Sequence, residues 1–120
     1  MEGEFVMALI KEILENLRME IRPNSRGLEY LEAIIRKNDL ELLKSLLPKH
    51  LGPAAKEPET EANFPKEIQR LVDSIGGLRI EQSFFYRQEA NNKVLYAALW
   101  PWESDTEKTT LKVGVGSLEN

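Results

Sequence analysis

The chain has 120 residues, 42% of them hydrophobic and 30% charged, with a net charge of −4. That length can bury a core without a disulfide or metal staple, and with no cysteine and one histidine it excludes thiolate chemistry and a typical zinc site. Residues 1–50 carry eight Lys/Arg against nine Asp/Glu, and residues 66–120 carry seven against eight, so neither half offers a basic arm for nucleic acid or an acidic tail.

The start, Met1-Glu2-Gly3-Glu4, is acidic where a secretory leader begins basic. The longest early apolar run, Phe5 to Ile10, is far short of a membrane span. A cytoplasmic address without a membrane partner is the expectation. From Glu4 to Arg22 the apolar residues Val6, Leu9, Ile10, Ile13, Leu14, Leu17 and Ile21 recur at helical spacing, and Pro23 is expected to stop that helix. With Phe5 and Met7 they span an arc of about 200°, roughly twice what one core needs. Within it Met7, Ile10, Leu14, Leu17 and Ile21 follow heptad spacing. These five are the candidate interface of a homodimer.

Asn24 or Ser25 can cap a second helix to about Arg36, with Leu28, Leu31, Ile34 and Ile35 inward. Asn38 allows a turn, and Asp39 can cap a third helix from Leu40 to Leu47, ended by Pro48. The run from Leu28 to Leu47 resembles the helix–turn–helix of an ankyrin repeat. The Thr-Pro-Leu-His opening of that repeat is absent and no second copy follows. The segment is therefore expected to be an ordinary αα-hairpin, with no ankyrin function carried to it. It is also a poor DNA reader, because its third helix is mostly leucine.

Residues 48–65, rich in Pro and Glu, are expected to form an extended, solvated linker. A short helix from Pro65 to Ile75 follows, with Ile68, Leu71, Val72 and Ile75 as its stripe and Gly76-Gly77 ending it. Three strands are predicted at Leu78–Gln88, Lys93–Trp100 and Thr109–Val115, the first two joined by an Asn91-Asn92 turn. The expected fold is thus a single α+β domain over residues 1–120. Residues 1–47 form a helical part, and residues 66–120 a helix and a three-stranded antiparallel β-meander. Three long helices and one short helix pack on that sheet.

Placing Ala90 opposite Lys93 puts Leu78, Ile80, Phe84 and Tyr86 on one face with Leu95, Ala97 and Leu99, joined by Leu111, Val113 and Val115. The other face collects Arg79, Phe85 and Arg87 with Tyr96, Trp100 and Trp102, residues that dominate protein interfaces. Those six are the candidate partner-binding set.

No catalytic constellation is legible. His50 is expected in a loop without a partner group. Glu103, Asp105 and Glu107 alternate but lack the glycine and terminal glutamate of an EF-hand loop. Neither Gly76-Gly77 nor Gly114-x-Gly116 matches a phosphate-binding fingerprint. The expectation is a non-enzymatic protein-interaction module of adaptor or regulatory type, homodimeric, with no metal and no cofactor. The alternative is a small-ligand-binding sensory domain, because helices followed by three antiparallel strands resemble the latter part of a PAS-like sensor in element order. Single-stranded nucleic acid ranks lower, since the acidic chain offers little phosphate neutralisation.

Overall fold

A computed structural model describes residues 4–118. Along the chain lie α1 (Glu4–Asn16), β1 (Met19–Ile21), β2 (Leu31–Arg36), α2 (Lys37–Leu51), α3 (Lys66–Ser74), β3 (Ser83–Glu89), β4 (Lys93–Pro101) and β5 (Lys108–Ser117). The class is α+β. The expected four helices on a three-stranded meander are corrected: the described residues form three helices and a five-stranded antiparallel sheet, ordered β1-β2-β5-β4-β3.

The first helix ends at Asn16, well before Pro23. The Asn16 amide donates back to the Glu12 carbonyl at 2.8 Å, the local bond by which asparagine competes with helix continuation. The chain then enters β1, where Met19, Glu20 and Ile21 pair with Ile35, Ile34 and Ala33. Pro23 therefore stops a strand. A turn follows in which the Ser25 hydroxyl donates to the Glu32 carbonyl and accepts from the Glu32 N–H, both at 2.9 Å. The second expected helix is β2. Leu28, Leu31, Ile34 and Ile35 fit helical spacing, but Leu31, Ala33 and Ile35 are also every second residue, and adjacent Ile34-Ile35 suits a strand buried on both sides. All four of Leu31, Ala33, Ile34 and Ile35 are buried. The ankyrin-like αα-hairpin is consequently a strand followed by a helix. That helix, α2, continues through Pro48 to Leu51.

The sheet is covered on both sides, unequally. Helices α1 and α2 bury Leu9, Ile10, Ile13, Leu43 and Leu47 against Leu31, Ile35, Phe85, Leu95, Leu99, Leu111 and Val113. On the opposite face the much shorter α3 lays Ile68, Leu71 and Val72 on Phe84, Val94, Tyr96 and Ala98. Gly116 lets α3 come this close: a Cβ there would collide with Leu71 Cδ1.

The β3–β4 register is one residue away from that expected. Asn91 and Asn92 do take positive φ, 61° and 58°, and the Lys93 N–H reaches the Ala90 carbonyl at 3.3 Å. The ladder, however, pairs Glu89 with Lys93 and Ser83 with Leu99. Because side chains alternate, one residue turns the whole strand over. Phe85 joins the α1–α2 core, while Phe84 and Tyr86 lie under α3. Residues 78–82, expected as strand, form turns in which Ile80 is exposed.

The segment after α2 is tied to the edge of β3. Lys56 exchanges backbone bonds with Phe84 at 3.0 and 3.1 Å. Its side chain is buried, and the ammonium donates to the carbonyls of Gln82, Ile80 and Glu57 at 2.7, 3.0 and 3.1 Å. Three donors thus meet three acceptors, the condition for burying a lysine at tolerable cost. Burial lowers its pKa below the usual lysine value, with Glu59 and Glu81 opposing the shift.

Candidate functional site

Helix α3 covers β3 and β4 but stops short of the far end of β4. Gly76 and Gly77, at φ 118° and 76°, turn the chain away there, with the Gly77 N–H donating to the Val72 carbonyl at 2.8 Å. The result is a cleft of about 810 Å³ between the α3 C-terminus, the turn at residues 78–82 and strands β4–β5, with Trp100, Trp102, Arg79, Gln82, Thr110 and Lys112 in its wall.

Each wall residue is held by a specific contact. Trp100 lies so close to Gly76 that a Cβ there would be 3.2 Å from the indole. The Lys112 ammonium sits 4.1 Å from the centre of the Trp100 ring, a cation–π contact, and donates to the Ile75 carbonyl at 3.2 Å. That places a cation at the negative end of α3. The Trp102 indole N–H is taken up by Thr110 Oγ1 at 2.8 Å. The Trp100 indole N–H is buried and, among the described residues, has no hydrogen-bond partner. At the rim, Arg79 pairs with Glu103 at 3.1 Å and Glu81 at 3.4 Å.

Of the six expected partner-binding residues, the structure brings Arg79, Trp100 and Trp102 together in this cleft. Phe85 is in the main core and Tyr96 is under α3. Arg87 lies over the Phe5 ring, 4.2 Å from its centre, and reaches Glu89 at 3.2 Å. The shifted register sends Phe85 and Arg87 to the α1 side, whereas Tyr96 keeps the face of Trp100 but is covered by α3. Of the five expected interface residues, Ile10 and Leu17 are buried within the chain, Leu14 is half-buried, and Met7 and Ile21 are about half exposed. Ile21 is on β1, so the heptad seam does not continue that far. Met7 lies with Phe5 and Val115 around a separate hollow of about 670 Å³.

Lys112, Gly76, Gln82 and Thr110 were absent from the expected set. Lys112 had a usable signal, since alternation along β5 sets it on one face with Thr110; the ladder puts Ala98 opposite it and Thr110 opposite Trp100, two residue pairs along. A smaller hollow of about 340 Å³ lies on the other side of Lys112, lined by Tyr30, Glu32, Tyr96 and Arg26 among others. The Tyr30 hydroxyl donates to Glu32 at 2.9 Å. Burial first, then that carboxylate, push the Tyr30 pKa far above the ordinary tyrosine value, and burial raises that of Tyr96.

The remaining candidates resolve into structural contacts. His50 lies in the last turn of α2, half-buried, with Nε2 3.4 Å from Glu12 on α1. Glu103, Asp105 and Glu107 face three different cations: Arg79, Lys108 and Lys37. Among the described residues no group of three or more His, Asp or Glu is placed to hold a metal ion, and no helix is long and apolar enough to cross a membrane. Comparison with protein-family models, curated proteins and solved structures gave no match.

Proposed function

We propose that this protein is a non-enzymatic interaction module that seats a segment of a protein partner in the tryptophan cleft. The observation that carries the reading is the buried, unpartnered indole N–H of Trp100. Leaving such a donor unpaired costs about 1–3 kcal/mol, and an occupant that supplies an acceptor relieves that cost. The nitrogen is shut off from solvent as the cleft stands, so an occupant reaches it only by rearranging the cleft wall. Two aromatic rings and an arginine beside this donor match the composition of interaction hot spots.

The chain has only two tryptophans and both line the cleft, so its tryptophan emission, excited selectively over the tyrosines, reports on this site. The test is a partner captured by cross-linking and then titrated against the purified protein. Binding that shifts the tryptophan emission and is lost in Arg79→Ala supports the reading. Binding that leaves the emission unchanged moves the site elsewhere. A small molecule that co-purifies in stoichiometric amount would instead favour the sensory-domain alternative.

A homodimer belongs to the same proposal. Phe5, Met7 and Val115 are 53%, 47% and 39% exposed around one hollow, and contiguous exposed apolar residues mark association surfaces. Light scattering at micromolar concentration should give twice the 13.8 kDa of one chain, and Met7→Glu should return it to a single chain. A single-chain mass for the unaltered protein rejects the dimer.

A further inference from the structure

The cleft contains a second unmet demand, and it is one of charge. Lys112 is half-buried, yet among the described residues no carboxylate lies within ion-pair distance of its ammonium. Its side chain has one carbonyl acceptor, on Ile75, and one aromatic face, on Trp100. An ammonium carries three donors. Glu32 stands directly across the ladder on β2 and lines a hollow with Lys112, but its carboxylate is turned to the Tyr30 hydroxyl and lies beyond ion-pair distance of the ammonium. The other cation of the cleft, Arg79, is matched by Glu81 and Glu103. Lys112 is therefore the unmatched positive charge, and it stands against the same indole whose N–H has no acceptor.

We infer that the partner segment carries an aspartate or glutamate whose side-chain carboxylate pairs with Lys112 beside Trp100, with an apolar neighbour laid on the two indoles. This rests on the cleft being a peptide site, as proposed above. A carboxylate meets both demands at once. It offers the charge Lys112 lacks and spare lone pairs for the indole N–H, and charge-assisted bonds of this kind are about twice as strong as neutral ones. The overall charge of −4 makes the recognition local: distant acidic residues repel such a segment weakly across solvent, while the half-buried pair is little screened.

The test is selection of a displayed random-peptide library on the whole protein. The selected peptides are then synthesised with blocked termini, so that only side chains bear carboxylates, and titrated by tryptophan fluorescence. Expected are peptides with an acidic residue next to an aromatic or large aliphatic one. Replacing that acid by its amide, or Lys112 by Met, should weaken binding about tenfold or more, while Lys112→Arg keeps most of the affinity. Should Lys112→Met melt early, the acid-to-amide change in the peptide gives the same comparison on the unaltered protein. Peptides that bind the cleft equally well as acid and amide overturn the carboxylate inference and leave the peptide site standing. Each selected peptide is also made with a free C-terminus, and an emission shift seen only with that form likewise overturns the carboxylate inference and leaves the peptide site standing. No selected peptide that shifts the tryptophan emission overturns both.

Discussion

The two faces of the sheet differ in how far their covering goes. On the α1–α2 side two helices of 13 and 15 residues span the strands, and the side chains between them are almost uniformly apolar and buried. On the α3 side one helix of 9 residues covers only β3, β4 and the end of β5. Where it stops, the face turns from Phe84, Val94 and Ala98 to Trp100, Thr110 and Lys112, and the polar atoms there are only partly paired. The complete face carries the stability, and the incomplete one leaves polar groups seeking partners. A site of this kind arises where a covering element is shorter than the surface beneath it.

That contrast can be broken most forcefully on the covered side. Leu95→Ala, at a residue with no exposure, should cost about 2–5 kcal/mol by transfer and cavity terms, measured by urea denaturation. A loss below 1 kcal/mol, by the same rule, would mean the α1–α2 face is looser than its packing indicates. Next in size is Lys56→Met, which strips one buried and two part-buried carbonyls of their donor and should cost roughly 2–4 kcal/mol. It should also speed proteolysis at Glu57, Glu59 and Glu61, because the same lysine ties that segment to β3. Unchanged cleavage would show that the backbone pairing at Phe84 suffices alone.

Gly114→Ala tests how tightly the α3 side is closed near Tyr30. A Cβ would stand 2.9 Å from the Tyr30 ring and 3.0 Å from the Tyr96 hydroxyl, so a loss of about 1–3 kcal/mol is expected from overpacking. Tyr30 itself gives a pH signature. Its folded pKa is raised, so in the unfolded chain it loses its proton first, near pH 10. The stability it contributes is complete below that pH and declines as pH rises toward the folded value. Tyr30→Phe should flatten the alkaline fall of the urea midpoint, although raised Tyr96 keeps part of it. The smallest effect is expected at the cleft. Trp100→Phe removes the unpaired N–H, a gain of about 1–3 kcal/mol, but also part of a ring packed against the α3-side cluster and Lys112, so the two effects should nearly cancel in stability, whereas partner binding weakens. A large loss of stability there would make Trp100 a core residue and sink the contrast.

Legible along the chain were the α+β class, the lack of thiol chemistry, α3 with its Gly76-Gly77 stop, and the alternation of β4 and β5. Each of these is a local signal in a segment where only one periodicity fits. Tertiary structure decided the rest. Leu28, Leu31, Ile34 and Ile35 satisfy a helix and a strand equally, and pairing with nearby β1 and with β5, far along the chain, selected the strand. The faces of β3 hung on one residue at Ala90, since a period of two makes every side chain depend on the register and the register depends on the partner strand. Trp100, Trp102 and Arg79 could be singled out by residue type, because large aromatics and arginine are costly to expose without use. That Trp102 finds Thr110 while Trp100 finds no acceptor, and that Glu32 answers Tyr30 and leaves Lys112 unmatched, follow from ångström-scale placement across three strands, which no one-dimensional spacing encodes.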